Sequence, residues 1–167
     1  MIKLRVMSAA YLMNDDDFLM MERSRNKKFV PGIWAGVGGH LGPEEINDPQ
    51  RGCLREIYEE TGIEEKEIRD LDLKYIILRR SKEEIRIQYI YIGQALRRDV
   101  SKTDEGELFW INKDQILERE LSVTTRMTFK HYLKHGKEMK DVLVGVVSAE
   151  NNNPVINWIP VQDWEGI

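Results

Sequence analysis

The sequence predicts an α/β sandwich, on three observations. β-Branched and aromatic runs recur from the first residues to the last, so a sheet dominates. One segment, residues 48–62, carries a full set of helix boundary signals. Strands and helical stretches intermingle with no repeat, linker or low-complexity tract, which suits a single domain over residues 1–167.

The elements follow in order. Ile2 to Met13 is β-branched and apolar and reads as a buried strand. Lys3 and Arg5 precede its apolar run, but the run is short and ends at Asn14-Asp15-Asp16-Asp17, which is turn chemistry and not a signal-peptide boundary. Phe18 to Glu22 returns as its hairpin partner. A basic loop follows, with Arg23, Arg25, Lys27 and Lys28, then Pro31-Gly32 and a short strand from Ile33 to Val37. The helix has Asp48 as N-cap, Pro49 at the first helical position and Gly62 just past its end. Lys74 to Arg80 and Ile85 to Ala95 are strands joined near Ser81–Glu84, and the second, which alternates Ile85, Ile87, Tyr89 and Tyr91 on one face with Arg86, Gln88, Ile90 and Ile92 on the other, is placed centrally. Glu107 to Ile111 is a further strand, Asn112 to Glu118 a helical turn or two, and Thr124 to Lys134 a helix. Val142 to Ser148 and Ile156 to Ile159 are strands about a turn at Asn151-Asn152-Asn153-Pro154.

With 41% hydrophobic and 32% charged residues, the composition is that of a globular protein and argues against disorder. No run approaches the ~18 apolar residues of a membrane helix. Cys53 is the one cysteine, so no disulfide forms within the chain, and its neighbours Leu54 and Ile57 mark it as a packing residue. These features suit a cytoplasmic protein without a membrane partner. A net charge of −4 argues against a binder of DNA or RNA polymers, which needs a basic face.

The location of that charge is more informative than its size. Residues 39–63 hold six acids and two bases, and the remaining 142 residues sum to zero. On the helix, Glu56, Glu59 and Glu60 are spaced i, i+3, i+4 and project from one face. Like charges at these spacings cost a helix about 0.2–0.5 kcal/mol per pair. A hard divalent cation offsets that cost, because Mg²⁺ takes carboxylate oxygens and keeps waters that a phosphate displaces. A solvated acidic face is the alternative. Gly38-Gly39, which lets backbone carbonyls approach a metal, and Glu44-Glu45 in a loop beside the helix favour the cation. Arg55, four residues before Glu59, is placed to hold that carboxylate. Cys53 and Ile57, with Leu54 and Tyr58 beside them, anchor the helix to the sheet.

Gly39, Glu45 and the block Arg55-Glu56-Ile57-Tyr58-Glu59-Glu60-Thr61-Gly62-Ile63 resemble the signature of the Nudix hydrolases. The block matches throughout, and Gly39 to Glu45 has the family's spacing. Nine residues separate Glu45 from Arg55 where the pattern has seven, a two-residue insertion around Asp48-Pro49 that bears on the choice between Glu44 and Glu45. The resemblance implies an α+β fold, an α/β/α sandwich with a mixed β-sheet and a catalytic loop-helix-loop. It implies hydrolysis of a phosphoanhydride bond in a nucleoside diphosphate derivative with Mg²⁺ or Mn²⁺. By position, Glu56, Glu59, Glu60 and the Gly39 carbonyl are the metal ligands, Arg55 orients a carboxylate, and Glu45 supports the loop. The general base is Glu56 or a glutamate outside the signature; Glu105, just before a strand, is the candidate, with a hydrophilic turn as the other reading.

Substrate binding is assigned to Arg23 and Arg25, facing the outer phosphates with Lys27 and Lys28 beside them, and to Trp34 at the mouth of the site. Phe29 is a second candidate for stacking on a base, with core packing the alternative for both aromatics. Tyr89, Tyr91 and Trp110 are assigned to the core. Residues 34–63 resemble bacterial members acting on oxidised purine nucleoside triphosphates such as 8-oxo-dGTP. Ordinary dNTPs, ADP-ribose and other nucleotide sugars are neighbouring substrates. A non-catalytic nucleotide-sensing domain and removal of a 5′ pyrophosphate from RNA are the competing functions. Dimers are frequent in the family, and a homodimer is compatible with the sequence.

Overall fold

The computed structural model describes residues 1–25, 31–101 and 103–166. Its strands are β1 (Lys3–Asn14), β2 (Asp17–Arg23), β3 (Trp34–Ala35), β4 (Ile68–Ser81), β5 (Glu84–Ala95), β6 (Gly106–Asn112), β7 (Val142–Glu150) and β8 (Asn153–Val161), with helices α1 (Pro49–Thr61) and α2 (Val123–His135). They form one mixed sheet in the order β3-β2-β1-β5-β4-β7-β8, and β6 pairs with β2. β1 runs parallel to β5 from Lys3↔Glu84 to Met13↔Gln94, and β4 parallel to β7; the other pairs are antiparallel.

Each face of the sheet has its own core. Towards α2 lie Tyr11, Phe18, Met20, Tyr75, Ile90 and Phe129, with Phe129 edge-on to Phe18 at 5.2 Å. Towards α1 lie Ala10, Leu12, Leu19, Cys53, Ile57, Ile63 and Tyr91. This is the expected three-layer arrangement. Cys53 is fully buried, and burial pushes its thiol up to about 12, so it packs as an unreactive small residue. Tyr58 departs from expectation: it is 58% exposed, one helical position beyond the stripe that Cys53 and Ile57 bury.

The expected β1–β2 hairpin forms for only two residue pairs, Met13↔Phe18 and Asn14↔Asp17, around a turn with Asp15 at φ 54°. Further along, β2 follows β6, and β1 takes the chain at 37–41 as its neighbour. Ala10 N donates to Val37 O at 2.7 Å, Ser8 N to Gly39 O at 3.0 Å and Leu41 N to Val6 O at 3.1 Å. This switch brings the glycine pair to the middle of the sheet. β4 begins six residues earlier than its alternation suggests, because irregularities at Arg69/Asp72 and Leu73/Tyr75 break the period. The last hairpin turns tightly on Asn151 and Asn152, both at positive φ, so Asn153 and Pro154 belong to β8. Residues 112–118 supply one 3₁₀ turn, Ile116–Glu118.

α2 is tied to the sheet through His131, whose Nδ1 lies 3.0 Å from Tyr75 Oη and whose ring sits 5.3 Å from Trp158. Burial, with His135 and Lys134 nearby, lowers its pKa below the ordinary 6.5. The folded state therefore resists a proton that the unfolded chain accepts, and stability falls as pH drops below about 6.5. Thermal unfolding of wild type and His131→Phe between about pH 5 and 8 is expected to converge at the acidic end. Parallel curves across that range count against this account.

Candidate active site

α1 forms where its boundary signals place it. Asp48 accepts from Arg51 N at 3.2 Å, Pro49 opens the first turn, and Gly62, at φ 73°, donates to Tyr58 O at 2.9 Å. Its buried stripe of Cys53, Ile57 and Thr61 faces the sheet, and Glu45 and the backbone at 38–40 meet its Arg55, Glu56 and Glu60.

Arg55 is the hub of this contact. Its Nε donates to Glu45 Oε1 at 2.7 Å and its Nη2 to Glu45 Oε2 at 3.0 Å, a two-pronged pair. Nη1 reaches Glu56 Oε1 at 3.0 Å and Glu59 Oε2 at 2.9 Å, and Nη2 reaches His40 O at 3.1 Å. Glu45 also accepts from Gly42 N at 2.8 Å. The guanidinium holds the Glu45 carboxyl down at about 2, and Arg55 is itself held above its usual range by Glu45. Glu44 is exposed, so the choice between the two loop glutamates falls to Glu45. Two successive turns, Glu45 N to Gly42 O and Asp48 N to Glu45 O, both 3.0 Å, absorb the extra residues ahead of the helix.

Gly38 N donates to Glu60 Oε2 at 2.8 Å. Gly38 has φ 149°, and a Cβ there would collide with Ser8 O, so only glycine lets this strand sit between β1 and α1. A Cβ on Gly39 would stand 2.5 Å from Glu56 Oε1, so that carboxylate lies directly against the backbone. Glu60 is 9% exposed; burial, aided by the charges of Glu56 and Glu105, pushes it up to about 7. Burial likewise raises Glu56.

These groups border a cleft of about 520 Å³ whose lining includes Arg23, Gly39, Glu56, Glu59, Glu60 and Glu105. Glu105, the candidate general base outside the signature, is among the lining residues. A second hollow of about 520 Å³, bounded by Ser24, Arg25 and Asp104, shares Arg23 and Thr103 with the first. Arg23 has its Nε buried with no hydrogen-bond partner among the described residues. Arg25 is 85% exposed on its side chain, 4.0 Å from Glu22. Lys27, Lys28 and Phe29 lie outside the described residues.

Trp34 is not at the mouth of the cleft. Along β3 successive side chains point to opposite faces, and Ala35 takes the cleft side. Trp34 packs on the α2-side core, 5.3 Å from Phe109 and with Arg119 5.1 Å from its ring. Tyr91 is buried as expected; Tyr89 and Trp110 are half-buried against the α1-side core. Met7, His40 and Thr103 line the cleft and were not singled out from the sequence. His40 follows Gly39 directly and Thr103 precedes Glu105 by two, so adjacency to the marked residues was the available signal.

Among the described residues, no three acidic, histidine or cysteine side chains stand converged as a metal cage. Arg55 instead draws one oxygen each of Glu56 and Glu59 to its Nη1. The donor chemistry nonetheless fits a hard divalent cation: three carboxylates, two of them destabilised by burial, beside a backbone carbonyl. The Gly39 carbonyl accepts from Ser8 N and has one lone pair beyond that bond.

A three-layer α/β/α sandwich whose acidic helix and glycine-bearing loop meet at a charged cleft defines a hydrolase scaffold for anionic substrates. The sequence pattern of the NUDIX domain matches residues 3–132, and the chain belongs to that family as a Nudix hydrolase of nucleoside diphosphate derivatives. Hydrolases of this family use divalent metal ions. Solved structures share the fold. The mutator MutT protein of Bacillus halodurans is 22% identical with a TM-score of 0.67, over 92% of this chain and 97% of that one. The MutT protein of Methanosarcina mazei Go1 is 25% identical, TM-score 0.69, over 81% and 97%. A C. elegans Ap4A hydrolase is 14% identical, TM-score 0.61, over 83% and 100%.

Proposed function

We propose that the chain, acting as one unit over residues 1–167 in the cytoplasm, hydrolyses a purine nucleoside triphosphate, 8-oxo-dGTP being the representative substrate, to the monophosphate and pyrophosphate. The observation that carries this reading is the meeting of Glu56, Glu60 and Glu105 with Arg23 in one cleft. Glu56, Glu59, Glu60 and the Gly39 carbonyl hold Mg²⁺ or Mn²⁺. The bound cation supplies charge neutralisation of the phosphates and acidifies water. Arg23 and Arg25 receive the outer phosphates, and the Nε of Arg23, buried without a hydrogen-bond partner among the described residues, supports that role. Arg55 and Glu45 hold the loop against the helix. Glu105, which lines the cleft with Glu56 and Glu60, accepts the proton of the attacking water. The water oxygen bonds to phosphorus as the P–O bond to pyrophosphate breaks. Trp34, facing the other core, has no part in this reading.

The test is a panel of 8-oxo-dGTP, dNTPs, ADP-ribose and 5′-triphosphate RNA with Mg²⁺, scoring pyrophosphate, phosphate and monophosphate. Preferential pyrophosphate release from the triphosphate is expected. Turnover of ADP-ribose alone replaces this reading with a nucleotide-sugar pyrophosphatase, and tight nucleotide binding without turnover with a sensing domain. Glu105→Gln is expected to lower kcat by about 10²–10⁴-fold with metal affinity unchanged. Glu56→Gln, by contrast, weakens metal binding itself. Unchanged kcat in Glu105→Gln returns the base to Glu56.

A further inference from the structure

Glu105 and the carboxylates of α1 reach the cleft from separate elements. β2 and β6 pair from Asp17↔Asn112 to Arg23↔Gly106, but β1 joins β2 only at Met13↔Phe18 and Asn14↔Asp17. The cleft opens at the other end of β2, where Arg23 and Glu105 lie. There Ser24 N donates to Glu105 O at 3.0 Å, so Glu105 goes where the end of β2 goes. Glu56, Glu59 and Glu60 belong to α1.

The residues that follow β5 tie the two together. Leu96 N donates to Glu67 O at 2.8 Å, Arg97 Nη2 to Gly62 O at 2.7 Å and Ser101 N to Thr61 O at 2.7 Å. Thr61 adjoins Glu60, and Ser101 lies four residues before Glu105. Ser101 Oγ is so close to the helix end that a Cβ on Gly62 would stand 2.5 Å from it. Arg97 also meets an electrostatic need of α1. A helix favours cations at its C-terminal end, yet the end of α1 carries Glu59 and Glu60 and no basic residue in its last turn. Arg97 brings the missing cation from another element, its Nε 3.0 Å from Glu67 Oε1. β5 is held between β1 and β4, and Cys53 and Ile57 hold α1, so neither needs this bond to keep its place. What the bond sets is the offset between the end of α1 and the stretch that leads to Glu105.

We infer that Arg97 is a positioning residue for the reaction. It fixes the stretch leading to Glu105 against the C-terminal end of the helix that bears Glu56, Glu59 and Glu60. The inference rests on the reading of Glu105 as the base. A water held between cation and base tolerates little error, since a misplacement of about 1 Å costs on the order of 10²-fold in rate.

A double-mutant cycle on the full chain tests this, with Mg²⁺ and the panel nucleotide that wild type turns over fastest. Arg97→Met is expected to lower kcat by about 10–100-fold, with KM and Mg²⁺ affinity within about 2-fold of wild type. In Glu105→Gln the same Arg97→Met change is expected to cost nothing further, because a residue that acts through Glu105 has nothing left to place. A loss that multiplies with that of Glu105→Gln overturns the inference and leaves Arg97 a structural group. Unchanged kcat in Arg97→Met overturns it too. Should Arg97→Met not fold, Arg97→Gln takes its place in the cycle and is judged by the same outcomes. Wild-type kcat in Glu105→Gln alone overturns the base assignment and the inference with it, and is recognised before Arg97 is touched.

Discussion

Glu60→Gln is expected to cut kcat by more than the ~100-fold typical of losing an outer-shell partner, while raising the stability of the metal-free protein. The two effects have one cause. Glu60 is buried beside Glu56 and Glu105, and burial holds its carboxyl up at about 7 where the ordinary value is 4.5. The folded, metal-free chain thus binds a proton that the unfolded chain releases. Stability is full below about 4.5, falls as pH rises towards 7 and stays lower above it. Glutamine keeps an oxygen for the Gly38 N–H but carries no charge, so the variant lacks this fall. Melting in chelator at about pH 8 should place Glu60→Gln above wild type, and at about pH 5 the gap should close. A carboxylate kept only for structure would lose activity and stability together. Near-wild-type kcat would show that the metal is held elsewhere.

Gly38→Ala is expected to cost about 3 kcal/mol or more, the largest stability loss of any single methyl added to this loop. Gly38 sits at φ 149°, and the new Cβ would meet Ser8 O and lie 2.6 Å from Ala9 Cα, both backbone atoms of the central strand. Neither can move without disturbing the β1–β5 pairing on the other edge. Because Gly38 N also holds Glu60, activity should fall with stability. Gly42→Ala is the control: its added methyl would stand 3.5 Å from the nearest atom, Glu45 Oε2, an ordinary contact. Urea unfolding should place Gly42→Ala within about 1 kcal/mol of wild type. Equal losses for the two variants would mean that loop flexibility, and not the backbone contact at Gly38, sets the cost.

The parts of this molecule legible in the sequence are those whose causes are local. α1 is bounded by a cap, a proline and a glycine that act within four residues, and its three carboxylates share a face by helical geometry alone. Of the network around Arg55, the contact with Glu59 follows from helical spacing of four residues, whereas its bonds to Glu45 and to the His40 carbonyl span ten and fifteen residues and depend on how the loop folds back. What escaped depends on distant partners. Nothing near Ala10 says that its N–H goes to Val37 and not to β2. Trp34 could not be placed because the face a two-residue strand presents is set by what flanks it, here β2 and the α2-side core. The early part of β4 was hidden by irregularities that interrupt alternation, with Asp70 at φ 50°. Met7 and Thr103 reach the cleft only through the tertiary fold.

The parallel pairing of β1 with β5 has a consequence for the order of assembly. Lys3 meets Glu84, so the pairing closes a chain segment of about eighty residues, and the glycine loop and α1 both lie inside it. Closing so long a segment precedes any reward from its contacts, which slows folding relative to hairpin-built sheets. During synthesis β1 emerges first and waits, unpaired on that edge, until β5 leaves the ribosome. Arg55 joins Glu45 within a short loop and can do so early, whereas Gly38 sits between Ser8 and Glu60 only once β1 has a sheet to join. The carboxylates would thus be gathered before the cleft that uses them exists.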